Sequence, residues 1–204
     1  MELTPELLIR AYASGIFPMS RSADGPIDWY SPDPRALLPL DAFHVRRSLR
    51  KRVRNGTFTV TMDRAFEQVI RGCAAPSDNS PGVWMSPAII QAYTRLHRLG
   101  FAHSFEVWTA SEDDPAGQPT HLAGGLYGVA IGGAFFGESM FSRMPYASQV
   151  CLVHLVDHLQ KRHYALLDVQ FCNPHLEQFG IQEINREDYL QRLSKAITMS
   201  VTWS

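Results

Sequence analysis

From Leu122 to Gly137 the chain is apolar at nearly every position, and the breaks are glycines: Gly124, Gly125, Gly128, Gly132, Gly133 and Gly137. The run reads as two strands, Leu122–Ile131 and Ala134–Ser139, whose glycines permit bulges or the close approach of a ligand. A phosphate cradle is the competing use of so many glycines. The lysine of a P-loop is missing, however, and the run does not lie between a strand and a helix.

Neighbouring segments supply the rest of a sheet. Thr57–Thr61 alternates like a strand, Phe101–Thr109 reads as another, and Ala165–Phe171 is a short apolar strand suited to burial. Helices are marked by their ends. Thr4-Pro5-Glu6 opens one with the stripe Leu7, Leu8, Ala11 and Tyr12, closed by Gly15. Asp63 is expected to cap a helix carrying Phe66, Val69, Ile70 and Cys73, and Ser86-Pro87 starts another that Gly100 stops. Ala147–His163 and Arg186–Ile197 read as two more helices, with Thr198–Trp203 a candidate edge strand. Residues 74–81 and 111–120 read as loops. Phe17–Pro39, rich in Pro, Ser, Asp and Gly, reads as irregular. It is the expected junction between a small N-terminal domain, 1–34, and a main domain, 35–204. This order gives a mixed α/β (α+β) class with a mostly antiparallel sheet.

Charge narrows the partners. Nineteen Lys+Arg against 20 Asp+Glu leave a net charge of -1, so any surface for nucleic acid must be a local patch. One run qualifies: Arg46, Arg47, Arg50, Lys51, Arg52 and Arg54 would spread over a helix surface and suit a phosphate backbone. The three cysteines are odd in number and widely spaced, which suits free thiols in a reducing cytoplasm. No apolar run approaches the ~20 residues of a membrane helix, and Met1–Ile9 does not read as a signal peptide.

Two places invite chemistry. Gly137–Arg143 sets an acid, two hydroxyls and a base at the end of an apolar strand, where Glu138 and Arg143 could also simply pair. Asp168 and Gln170 share one face of the strand Ala165–Phe171. A buried carboxylate needs a partner, so the pair marks either a polar cleft or a satisfied core network. His154 and His158 stand four apart but lack a third ligand, and read as solvated beside Asp157; no metal site is expected.

Taken in order, Ala11–Pro18, Trp29–Arg35 with its Ser-Pro-Asp-Pro-Arg, Gly100–Trp108, Gly124–Arg143 with its Gly-Glu-Ser-Met-Phe-Ser-Arg, Leu167–Gln170 and Pro174–Leu176 resemble the leucyl/phenylalanyl-tRNA–protein transferase family over nearly the whole chain. The resemblance implies a small N-terminal domain and an N-acetyltransferase-like (GNAT-like) catalytic domain. It implies transfer of Leu or Phe, less well Met, from aminoacyl-tRNA to a protein N-terminal Arg or Lys, marking the product for N-end-rule degradation in the cytoplasm. No cofactor beyond the charged tRNA is implied, and the enzyme is expected to be a monomer.

By the same resemblance Asp168, Gln170 and Glu138 are the catalytic positions. Leu126, Phe135, Met140, Leu152, Leu155 and Leu167 form the aminoacyl side-chain pocket, and Trp84 and Met19 contact the nucleotide. Asp168 is expected to draw in the acceptor's ammonium or basic side chain, with Gln170 orienting the amine and Glu138 adding negative potential or a hydrogen bond. Met19 stands where the family usually has Trp, and Gln149 where it usually has Lys, so tRNA contacts are expected to be weaker there. An acyl-CoA N-acetyltransferase and a non-enzymatic RNA-binding module are the rival readings. The first lacks its pyrophosphate loop, since Ser142–Tyr146 contains no glycine.

Overall fold

The computed structural model describes residues 3–20, 22, 25–75, 85–110 and 119–204. Its elements run α1 (Pro5–Ala13), β1 (Phe17–Ser20), β2 (Ile27–Tyr30), β3 (Arg35–Leu37), α2 (Arg47–Arg54), β4 (Thr59–Met62), α3 (Phe66–Ala74), α4 (Pro87–Arg98), β5 (Ala102–Ala110), β6 (Pro119–Ile131), β7 (Ala134–Ser142), α5 (Ala147–Lys161), β8 (Leu166–Gln170), α6 (Pro174–Glu177), β9 (Gln182–Ile184) and α7 (Arg186–Ala196). A sheet of seven strands in the order β4-β5-β6-β7-β8-β3-β9 forms the body, and β1 and β2 form a separate hairpin. The class is therefore mixed α/β with a mostly antiparallel sheet, as the sequence implies.

The glycine-punctuated run is the middle of that sheet. β6 and β7 turn at Gly132, whose φ of +53° suits a residue without a Cβ. Only β7 and β8 pair in parallel among the described strands, because α5 crosses over between them. Side chains alternate across the sheet into two clusters. Tyr127, Val129 and Phe136 join α1, α3, α4 and α7 on one face. Leu126, Ala130 and Phe135 join α2, α5 and α6 on the other. Leu8 and Tyr12 of α1 are fully buried in the first cluster, so the N-terminal helix completes the core of the main sheet.

Three expectations change. Phe17–Pro39 is not irregular: it holds β1, β2 and β3, and β3 sits inside the sheet between β8 and β9. Asp63 does not cap α3, whose first residue follows Ala65 with no side-chain cap. Its carboxylate instead accepts from Ser104 N–H at 2.8 Å and the Trp203 indole at 2.9 Å, and faces His103 Nδ1 at 2.8 Å. Residues 198–203 add no strand. They carry Trp203, whose ring stacks 4.0 Å from that of His103 and 5.4 Å from that of Phe135. The loop expected at 74–81 lies largely, and that at 111–120 mostly, outside the described residues.

Candidate active site

Glu138 owes its direction to an irregularity in pairing. Tyr127 lies opposite Ser139 and Gly128 opposite Gly137, which leaves Glu138 as an extra residue on β7. Such a bulge re-aims one side chain. Here it sends the Glu138 carboxylate toward the hydroxyls of α1 and α4. Tyr93 Oη donates to Oε2 at 3.1 Å, and the Tyr12 hydroxyl in turn pairs with that of Tyr93. The other oxygen, Oε1, is shut from solvent with no hydrogen-bond partner. Burial raises the carboxyl to about 7, against the nearby Tyr12 and Tyr93 hydroxyls, which hold it down. No Glu138–Arg143 pair forms: Arg143 lies over the Phe141 ring and donates to Leu122 O at 3.3 Å.

Asp168 is fully buried, and its partners are already inside the protein. Arg35 of β3 reaches Oδ1 through Nε at 2.9 Å and Oδ2 through Nη2 at 2.8 Å. Tyr189 Oη donates to Oδ2 at 2.6 Å, and Gln170 N–H donates to Oδ1 at 2.9 Å. This corrects the expectation that Asp168 draws in a cationic acceptor, because both oxygens are occupied and the charge is neutralised by Arg35. Arg35 itself lies between the rings of Phe17 and Tyr189, 4.9 and 4.5 Å from their centroids, and donates to Gly15 O at 3.0 Å. Arg35, Tyr189, Tyr12 and Tyr93 carry the site's polar frame. Of these, the sequence reading used Arg35 only within a motif and Tyr12 only in an apolar stripe.

Gln170 differs from Asp168. It is 7 % exposed, its side-chain Nε2 has no partner, and its backbone is left-handed at φ +60°. A non-glycine residue held there stores strain, and the Asp168 bond to its N–H is one of the contacts that hold it. The parallel β7–β8 pairing ends at Phe136–Asp168. Glu138 and Gln170 each stand two residues beyond that rung, so two polar side chains, each with a buried atom that has no partner, flank the place where the strands stop pairing. The exposed ring of Phe171 follows, edge-on to Phe17 at 5.9 Å.

The six apolar residues expected to receive the donor's side chain come together. Leu126, Phe135, Leu152, Leu155 and Leu167 are at most 4 % exposed, and Met140 packs against their cluster as its partly exposed member. Met19 lies on β1, partly buried against the opposite cluster. Trp84 lies outside the described residues. α2 presents exposed Arg47, Arg50, Lys51, Arg52 and Arg54, with Arg46 just ahead, over a buried Leu49; Arg52 stacks on Tyr146 at 4.1 Å. A separate cavity of about 440 Å³ opens between α2, β4, β5 and α5 and contains none of the expected catalytic residues. His154 and His158 line it. Both are partly buried, and Asp157 pairs with Lys161 at 2.6 Å. The three cysteines are free thiols.

Buried polar atoms with unused hydrogen-bonding capacity beside an apolar layer make this a candidate enzyme site. Comparisons with known proteins identify the family. The family profile described as leucyl/phenylalanyl-tRNA protein transferase matches residues 37–194, and that of the family's N-terminal domain matches residues 1–33. The leucyl/phenylalanyl-tRNA–protein transferase of Salinibacter ruber is 50% identical over 99% of this chain and 84% of its own. That of Pelodictyon phaeoclathratiforme is 47% identical over 96% of each. Among solved structures, L-PGS from Bacillus licheniformis covers 83% of this chain and 51% of its own, at 14% identity and a TM-score of 0.42, too loose a likeness to argue from. The chain is thus an aminoacyltransferase. More narrowly, the chain belongs to the leucyl/phenylalanyl-tRNA–protein transferase family, whose activity moves an aminoacyl group from tRNA to protein.

Proposed function

We propose that this enzyme transfers Leu or Phe, and less well Met, from aminoacyl-tRNA to proteins beginning with Arg or Lys, marking them for N-end-rule degradation in the cytoplasm. One observation carries the reading: Glu138 Oε1 and Gln170 Nε2 are buried without partners on either side of the β7–β8 opening. An acceptor and a donor that meet the amine and the ester there would satisfy both.

The chemistry is aminolysis of an ester. The acceptor's ammonium releases one proton to become a neutral amine, which attacks the ester carbonyl carbon and gives up a second proton as the amide forms. The bond to the ribose oxygen breaks, and that oxygen takes up a proton. The aminoacyl ester is already activated, so alignment and one proton acceptor suffice. Gln170 aligns through its amide. Glu138, near 7, lies close to an α-amine of about 7.7–8.0, so a proton passes between them at little cost. Asp168 acts at one remove, by holding Gln170. Leu126, Met140, Leu152 and their neighbours suit a Leu or Phe side chain, at about 1.5–3 kcal/mol for full burial, and exclude charged ones.

The arrangement is read as GNAT-like on the strength of its parallel β7–β8 pair inside an antiparallel sheet. The enzyme works as a single copy without a cofactor, on tRNA docked along Arg46–Arg54 with Met19 and Trp84 at the nucleotide. The test is to incubate the protein with labelled Leu-tRNA and a peptide beginning with Arg. Label entering the peptide is expected; label remaining on tRNA or released as free Leu would reject the reading.

A further inference from the structure

Tyr12, Tyr93 and Glu138 come from three distant parts of the chain: α1, α4 and the bulge of β7. Their polar atoms nonetheless form one continuous line. The direction of that line follows from counting protons. A tyrosine hydroxyl has one proton and can donate once. Tyr93 spends its proton on Glu138 Oε2. The proton between the two tyrosines must therefore come from Tyr12, which donates to the Tyr93 oxygen. Burial raises both hydroxyls well above the usual tyrosine value, which keeps each a donor.

We propose that Tyr12 and Tyr93 are positioning residues for the transfer reaction, a one-way donor chain that occupies Glu138 Oε2 and leaves Oε1 as the only carboxylate atom able to take the acceptor amine's proton. This rests on the reading of Glu138 as the proton acceptor. While Tyr93 donates to Oε2, a proton reaching the carboxyl lands on Oε1, the atom with no protein partner. The acceptor's ammonium first releases one proton to solvent; the neutral amine attacks the ester carbon, its second proton moves to Oε1 as the amide forms, and the ribose oxygen takes that proton from Oε1 as the ester bond breaks. Atoms and charge balance without a further reactant. The chain also makes the N-terminal domain part of the site, because Tyr12 belongs to α1.

Other groups face Glu138 and are not part of the line. Asp168 on β8 raises its proton affinity, and Arg35 on β3 lowers it. Tyr127 on β6 lies within its electrostatic reach, and Cys73 on α3 acts on Tyr127. None of these donates to Oε2. The rings of Tyr12 and Tyr93 are packed edge-on or tilted against Phe136 and Tyr127, contacts that phenylalanine would keep.

The experiment is a carboxyl 13C titration of Glu138 in the wild-type chain, Tyr93→Phe and Tyr12→Phe, assigned with Glu138→Gln. It needs no substrate, so its outcome is separate from whether the chain transfers Leu at all. Tyr93→Phe is expected to raise the Glu138 midpoint by about one pH unit, as loss of a charge-assisted hydrogen bond requires. Tyr12→Phe is expected to shift it less, in the same direction. In the transfer assay the acid limb of kcat/KM should move with the midpoint while KM for the peptide holds. A purely structural role predicts a lower Tm with no shift of midpoint or limb, and that result would overturn the proposal. An unshifted midpoint in a folded Tyr93→Phe protein overturns it as well.

Discussion

Arg35 grips Asp168 with two nitrogens from the adjacent strand, Nε to Oδ1 at 2.9 Å and Nη2 to Oδ2 at 2.8 Å, with both residues buried. The ion pair joins the Ser-Pro-Asp-Pro-Arg segment to the Leu-Asp-Val-Gln strand. Through Arg35 Nη1 on Gly15 O it also holds the chain just after α1. Removing one partner of a buried pair leaves the other charge stranded, at a cost of about 3–5 kcal/mol. Arg35→Met and Asp168→Asn are each expected to lower Tm by roughly 6–20 °C on that basis. Calorimetry alongside the transfer assay separates this from the direct role first expected of Asp168. A direct contact with the acceptor would make Asp168→Asn slow in kcat/KM yet unchanged in Tm.

Glu138 should leave two pH signatures. Its carboxyl, at about 7, lies above the ordinary 4.5. A carboxyl that binds its proton more tightly when folded stabilises fully below 4.5, and that stabilisation is lost as pH rises through 7. Glu138→Gln is therefore expected to gain on the order of 2 kcal/mol over wild type above pH 7, and nothing in acid. Thermal melts across pH check this. Activity runs the other way: wild-type kcat/KM falls as pH drops through about 7, and Glu138→Gln is slow throughout.

Gln170 is expected to matter through its amide and not through the fold. Gln170→Ala removes an unpartnered Nε2 and should cost activity by roughly 10²-fold. Gln170→Gly relieves the φ of +60° and should be the more stable of the two. Paired kinetics and melts give the answer; equal Tm in both variants would show that the backbone holds no strain.

The six apolar residues divide by exposure. Phe135→Ala should destabilise by about 3–5 kcal/mol, because Phe135 is fully buried and stacks on Trp203. Met140→Ala, at the partly exposed rim, is expected to spare Tm and to raise KM for Leu-tRNA several-fold. Denaturant melts and steady-state kinetics on the two variants check this.

On α2, Arg47→Ala and Lys51→Ala are expected to weaken tRNA binding. Each should reduce the slope of log K against log salt by about 0.7–0.9. Titrations at several salt concentrations measure it. An unchanged slope would place the tRNA elsewhere.

The sequence made legible what local chemistry decides. Ser86 and Pro87 start α4 as their types suggest, with Ser86 Oγ accepting Ile89 N–H at 3.4 Å, and Gly100 ends it at φ +78°. Asp168 in an apolar strand announced itself as a buried acid in need of a partner. What long-range pairing decides was not legible. Arg35-Ala36-Leu37 is three residues long inside a proline-rich stretch, and it is a strand only because β8 and β9 flank it. Asp63 looks like a cap until His103, Ser104 and Trp203 claim its carboxylate. Glu138 was visible as a polar residue at a strand end, but the bulge that turns it toward Tyr93 depends on the register with β6.

The most direct measurement is a crystal structure of the protein with the non-hydrolysable amide analogue of phenylalanyl-adenosine. Expected is the phenyl ring against Met140 and Leu126, with the carbonyl within hydrogen-bond reach of Gln170 Nε2 and the reacting side open toward Glu138 Oε1. An analogue seated instead in the cavity between β4 and α5, or one that leaves both atoms unpartnered, would contradict the assignment of the site.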